Sequence, residues 1–203
     1  MLAIIPTAVS AAASTNEIEY AKQTWVDSDG KKTSTQENGY NPKTNDFRAD
    51  FVGQDKNTSN YVLKKGTKTV TINRNSKGKA ISGTYMMKNA KAAKEWIQSI
   101  EVASFSSLKA EYQKANWKKV GSVKDENGKT STKLSGTSKP GKNNDWIQYA
   151  YIDKDTGLPV KIESYVIKNK KKELQGTYLY EYKHVSGKTG IFDVSGVNLK
   201  KVK

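Results

Sequence analysis

Apolar and polar residues alternate with a period of two along most of this chain, and Asn, Asp and Gly interrupt the alternation at short intervals. Successive side chains of a strand point to opposite faces, so the pattern predicts half-buried β-strands joined by turns. Ile18 to Asp27 reads as the first strand, Ser28-Asp29-Gly30-Lys31 as its turn, and Lys32 to Gln36 as its hairpin partner. Glu37 to Thr44 is polar, contains Gly39 and Pro42, and reads as a loop. Asp46 to Gly53 puts Phe47, Ala49 and Phe51 on one face. Tyr61 to Lys65 and Thr67 to Arg74 form a hairpin about Lys65-Gly66, with Val70 and Ile72 sharing a face, and Lys79 to Met86 adds a further strand.

The period changes in the middle of the chain. Within Asn89 to Glu101 the apolar positions Ala93, Trp96, Ile97 and Ile100 fall at helical spacing. Phe105, Leu108, Tyr112 and Ala115 repeat that spacing in a second helix, with Ser104, Ser106 or Ser107 as its candidate cap. Strands then resume: Trp117 to Lys124 and Lys129 to Thr137 flank Asp125-Glu126-Asn127-Gly128, a hairpin signal because Asn-Gly accepts positive φ. Trp146 to Asp153, Leu158 to Lys168 and Glu173 to Val185 make a three-strand meander. The fold class expected is α+β, mostly β: a curved antiparallel sheet forming a half-open barrel, with helices covering the concave face. Rolling hides strand edges, and helices laid on the apolar side bury it.

Residues 1–13, MLAIIPTAVSAAA, are apolar and end in small residues that fit a signal-peptidase site. They are read as a signal-peptide remnant, followed by one domain over 14–203; the alternative is a short buried helix or strand. The stretch is shorter than the roughly 20 residues that a bilayer crossing needs. The protein is therefore expected to be secreted or held in the cell envelope.

The formal net charge is +15, and 33 of the 35 basic residues are lysine; Arg48 and Arg74 are the only arginines. Planar, bidentate reading of phosphates and base edges favours arginine, so sequence-specific nucleic-acid binding is not expected. A lysine coat instead attracts polyanions loosely, which makes an anionic envelope polymer a candidate partner. Cysteine is absent, which removes disulfides, thiol catalysis and anchoring through a lipidated cysteine. The lone histidine, His184, has no obvious catalytic or zinc partners, and Asp27, Asp29, Asp153 and Asp155 read as turn formers rather than calcium ligands. No enzyme activity, metal or cofactor is expected. The aromatic residues Trp25, Phe47, Phe51, Trp96, Phe105, Trp117, Trp146 and Tyr149 either fill a core or line a cavity.

Residues Trp146 to Tyr182, WIQYAYIDKDTGLPVKIESYVIKNKKKELQGTYLYEY, contain an aromatic strand, an Asp-x-x-Thr-Gly-Leu-Pro turn and a Gly-then-aromatic strand. Together with Thr24-Trp25-Val26-Asp27, Asp46-Phe47-Arg48-Ala49-Asp50 and Phe192 to Val197, this order resembles the LolA-like family of exported bacterial proteins. That family includes lipoprotein carriers and receptors and relatives of the sigma-factor regulator RseB. The resemblance covers about residues 18–200. It implies a half-open barrel with helices over its mouth, and an acyl chain held between sheet and helices. It also implies that Arg48 holds the lid helices closed. The expected ligand site is Phe47, Phe51, Val70, Ile72 and Trp146 from the sheet, with Trp96, Ile97, Ile100, Phe105 and Leu108 from the helices. The expected partner is a lipid or an acylated protein, bound by a monomer, and the lysine-rich composition points to a Gram-positive host.

Overall fold

The structure, a computed structural model, describes residues 17–53, 57–125, 128–138, 145–168 and 171–202. The expected leader remnant at 1–13 lies outside them, as do Glu126 and Asn127 of the hairpin turn. Six strands come first: β1 (Glu17–Asp27), β2 (Lys32–Asn41), β3 (Asp46–Val52), β4 (Asn57–Leu63), β5 (Lys68–Arg74) and β6 (Ala80–Met87). Helices α1 (Ala90–Glu101) and α2 (Phe105–Glu111) follow. Then come β7 (Trp117–Lys124), β8 (Thr130–Ser138), β9 (Asp145–Asp153), β10 (Pro159–Lys168), β11 (Lys171–Ser186) and a short β12 (Leu199–Lys201).

All twelve strands join one curved sheet that is not closed, in the order β12-β6-β5-β4-β3-β2-β1-β11-β10-β9-β8-β7. Every pairing is antiparallel except β12 on β6. Residues 37–41, expected as loop, are strand instead. Polar residues extend here because β2 is paired on both sides: Glu37 faces Lys22 and Asp50, and Gly39 faces Tyr20 and Arg48. The turn falls later, where the Asn41 side chain accepts the Lys43 and Thr44 N–H groups and Asn45 takes φ 56°. Both helices begin behind a capping side chain, the second at one of its three candidate serines. Asn89 accepts the Ala92 N–H, and Ser104 accepts the Ser107 N–H. The second helix stops at Glu111, a turn short of Ala115.

Residues directly opposite one another in a ladder share a face, so the register sorts the side chains. One face carries Tyr40, Phe47 and Val62 in a row, and Ile100 of α1 packs on them. The same face carries Ala21 opposite Tyr182, where Phe105 and Leu108 of α2 pack together with Leu158. The other face carries Tyr61, Leu63, Val70 and Ile72, buried under Phe192, Val194, Val197 and Leu199 of the C-terminal segment. Burying each such side chain contributes about 1.5–3 kcal/mol. Over its N-terminal half the sheet is thus packed on both sides, by helix residues on one face and by its own C-terminus on the other.

Asp153 closes β9 as a turn former. Its Oδ1 accepts the N–H of Asp155 and both the N–H and the hydroxyl of Thr156, while Oδ2 meets Lys129 Nζ at 2.5 Å. Burial pushes this carboxyl up, but Lys129 and the Thr156 donors outweigh it and hold the group below the ordinary carboxylate range. A depressed folded pKa stabilises the fold above the unfolded value, and that contribution is lost as pH falls through the folded value. Asp153→Asn is therefore expected to cost about 2 kcal/mol at pH near 7 and much less in acid. Urea unfolding of both proteins across that pH range measures it.

Candidate functional site: an aromatic trough on the helix-bearing face

Alternation along β11 places Tyr178, Tyr180, Tyr182 and His184 on the helix-bearing face, opposite Trp25, Gln23, Ala21 and Glu19 of β1. The rings form a continuous row. Trp25 lies 4.4 Å from Tyr178, Tyr178 is 6.4 Å from Tyr180, and Tyr180 stacks on Tyr182 at 6.1 Å with 2° between planes. Phe105 closes the far end, standing edge-on to Tyr182 and His184 at 5.4 and 5.3 Å. Tyr112, at the end of α2, tilts against Trp117 of β7 at 5.0 Å.

The base of α2 is fixed there by Glu19, whose Oε2 accepts the Phe105 N–H at 2.7 Å. A carboxylate at this position also complements the positive end of the helix. His184 stands directly opposite Glu19 and 3.7 Å from Glu17.

The trough is apolar enough to disturb its own hydroxyls. Burial pushes the Tyr112 hydroxyl up to about 12, helped by the charge of Glu111. Burial likewise raises Tyr180 and Tyr182, with neighbouring tyrosines adding to the shift. Two buried polar atoms, Tyr182 Oη and Trp117 Nε1, have no hydrogen-bond partner among the described residues.

Helix α2 touches the row at Tyr182 and His184 through Phe105. Beyond them a cleft of about 230 Å³ opens on the same face, lined by Gln23, Trp25, Ser34, Gln36, Phe51 and Tyr178. Three aromatic rings and three polar side chains share its wall, so the cleft offers both apolar contact and hydrogen bonds to a ligand. Trp25 reaches its place because Gly176 has no side chain: a Cβ at Gly176 would collide with Trp25 Cζ2.

The expected lining residues are not brought together as one wall. Phe47 and Ile100 meet at one end of the helix-bearing face, and Phe105 and Leu108 meet further along it. Phe51 is on that face at the open cleft, 41% exposed. Trp146 is half-buried on the same face of β9, opposite Val166. Trp96 points to solvent, and Ile97 rests against the β4–β5 turn at Gly66. Val70 and Ile72 are on the other face, fully covered by the C-terminal segment, so they cannot share a cavity with the helices.

Arg48 is also on that other face, opposite Gly39 and Tyr61. It does not hold the helices: its guanidinium donates to the Ile191 carbonyl at 2.9 Å, pairs with Asp50 at 2.5 Å and lies over the Tyr61 ring. Parity is the physical reason, since its neighbour Phe47 is the residue aimed at α1. Tyr178 and Tyr180, not among the expected lining residues, are announced in the sequence by the alternation Tyr178-Leu179-Tyr180-Glu181-Tyr182.

No protein-family model and no curated protein sequence matches the chain. Several solved structures are similar to it. A chain of the MucA/MucB complex of Pseudomonas aeruginosa is 14% identical with a TM-score of 0.42, over 84% of this chain and 52% of that one. This chain thus spans about half the length of that relative. An uncharacterized conserved protein from Thermus thermophilus is 10% identical, with a TM-score of 0.48, over 92% and 91% of the two chains. A domain assigned to outer membrane lipoprotein sorting in Vibrio parahaemolyticus is 9% identical, with a TM-score of 0.31, over 88% of each chain. Among the described residues no helix is long and apolar enough to cross a membrane.

Proposed function

We propose that this chain is a non-catalytic, extracytoplasmic protein that binds a hydrophobic ligand, a lipid or an acyl chain, along the aromatic trough. In this reading the curved sheet is a half-open barrel, and α1 and α2 lie over its concave face. The observation that carries it is the open cleft of Trp25, Phe51 and Tyr178 running into the half-buried Tyr180 and Tyr182 and the buried Phe105. An acyl chain entering at Phe51 gains about 0.8 kcal/mol for each methylene it buries. Its polar end stays at the mouth, where Gln23, Gln36 and Ser34 supply hydrogen bonds. Binding that lifts α2 from Ala21 and Leu158 would let the same trough act as a carrier or as a sensor.

The test is direct. Organic extraction of the purified protein followed by mass spectrometry is expected to release lipid, and palmitate is expected to bind saturably and shift tryptophan emission through Trp25. Tyr178→Lys, which places a charge in the cleft, is expected to weaken palmitate binding by roughly tenfold or more. Protein that carries no lipid and does not saturate with palmitate would sink this reading.

A further inference from the structure

The half of the sheet away from the C-terminal segment exposes a second chemically distinct surface, on the face opposite the helices. Register aligns Lys133 of β8, Tyr151 of β9 and Lys161 of β10 in one row across the strands. The next row is Lys118, Ser135, Tyr149 and Glu163. Lysine ammonium groups lie on the tyrosine rings: Lys161 and Lys133 are 4.1 and 5.1 Å from the Tyr151 centroid, and Lys133 is 4.4 Å from that of Tyr149. Lys172 of β11 donates to the Tyr149 hydroxyl at 2.6 Å. Among the described residues of these two rows Glu163 is the one acid; it pairs with Lys161 and accepts from the hydroxyls of Tyr151 and Tyr165. Four lysines therefore stand against one carboxylate, interleaved with rings.

We propose that this face of β8–β11 docks an anionic glycan, a sugar chain bearing carboxylate or phosphate groups. It lies on the opposite side of the sheet from the lipid trough and goes beyond that reading. Charge complementarity selects a polyanion, because the patch has an excess of cations that its own acid does not neutralise. The rings select sugar. A cation over an aromatic face is held weakly at an exposed site. An incoming anion draws Lys133 and Lys172 off Tyr149, and the uncovered ring then receives the apolar face of a sugar. Flat bases fit less well. Tyr149 and Tyr165 stand at 80° to each other, which gives no parallel platform for successive bases, and no arginine is present to read them.

The full-length chain is tested on immobilised polygalacturonate, with dextran, inorganic polyphosphate and oligo-dT as comparisons. Binding to polygalacturonate but not to dextran is expected, weakening as salt rises. Lys133→Gln with Lys161→Gln is expected to lower that affinity roughly tenfold, whereas Lys91→Gln with Lys94→Gln, an equal loss of charge on α1, changes it little. Tyr149→Ser is expected to weaken polygalacturonate several-fold and to leave polyphosphate unchanged. Three results overturn the proposal. The first is no binding to polygalacturonate. The second is an equal loss from the α1 pair, which makes the effect one of general charge. The third is tighter binding of oligo-dT with the same dependence on Tyr149, which makes the surface a single-stranded nucleic-acid site. Palmitate binding by the β8 and β10 variants reports separately on the trough.

Discussion

Gly176→Val is expected to destabilise the protein by about 3 kcal/mol or more, which is a large fraction of the stability of an ordinary domain. Gly176 lies where β11 crosses β1, opposite Asp27. The space a side chain would need is already occupied: an ideal Cβ runs into Trp25 Cζ2 and falls 2.6 Å from the Val26 carbonyl oxygen. The indole could swing away, but the backbone oxygen belongs to the ladder and cannot move without breaking it. A Trp25→Ala background should accordingly recover part of the loss and not all of it. A double-mutant cycle by urea unfolding measures that coupling. The same substitution should weaken palmitate binding in protein that remains folded, because Trp25 forms a wall of the cleft.

Arg48→Ala is expected to cost roughly 2–3 kcal/mol and to loosen the C-terminal segment ahead of the rest of the fold. The guanidinium serves two elements at once. It neutralises Asp50, whose side chain is only 20% exposed, and it fastens the Ile191 carbonyl to the sheet. Burial opposes its charge, yet its bond to the Asp50 carboxylate, with the charges of Asp50, Tyr61 and Glu37 adding, more than compensates, and its pKa rises above the usual arginine value. Removing it strands the Asp50 carboxylate against Glu37, Tyr61 and Ser59. Hydrogen exchange should then show faster exchange in this segment, at the Val197 amide bonded within it to Val194 and at the Val202 amide bonded to Tyr85 of β6, with α1 and α2 little affected. Arg48→Lys should retain part of the pairing with Asp50 and lose the bond to Ile191.

Much of this was legible in the sequence, for reasons that differ by element. The meander β9–β10–β11 is local: each strand alternates, and Asp153 and Gly157 mark the turn between the first two. The helix starts are local too, because Asn89 and Ser104 satisfy backbone donors within three residues. Face identity is not local. Alternation showed that Val70 shares a side with Ile72, and Phe47 with Phe51. Only the ladder through Arg48, Tyr61 and Val70 shows that these pairs point opposite ways. A sheet covered on both sides gives buried apolar residues in either phase, so hydrophobicity alone assigns no wall of a cavity. The extension of β2 through Asn41 was hidden for a related reason: polar residues become strand when a partner waits on each side. β12, with three residues in parallel pairing, has no periodic signal at all.

The strand order has a kinetic consequence. Strands β1 to β6 form one antiparallel series and β7 to β11 another, and the two series meet only where β1 pairs with β11. That seam includes the contact between Lys22 and Glu181, 159 residues apart. Each series can zip up from neighbouring hairpins, but the central ladder must wait until nearly the whole chain has left the ribosome. Until then β1 is the margin of the first series, with an exposed row of donors and acceptors, an edge that attracts other chains. Topology thus makes the middle of the finished sheet the last part to assemble, and the time before closure is when this protein is most open to misassembly or to a chaperone.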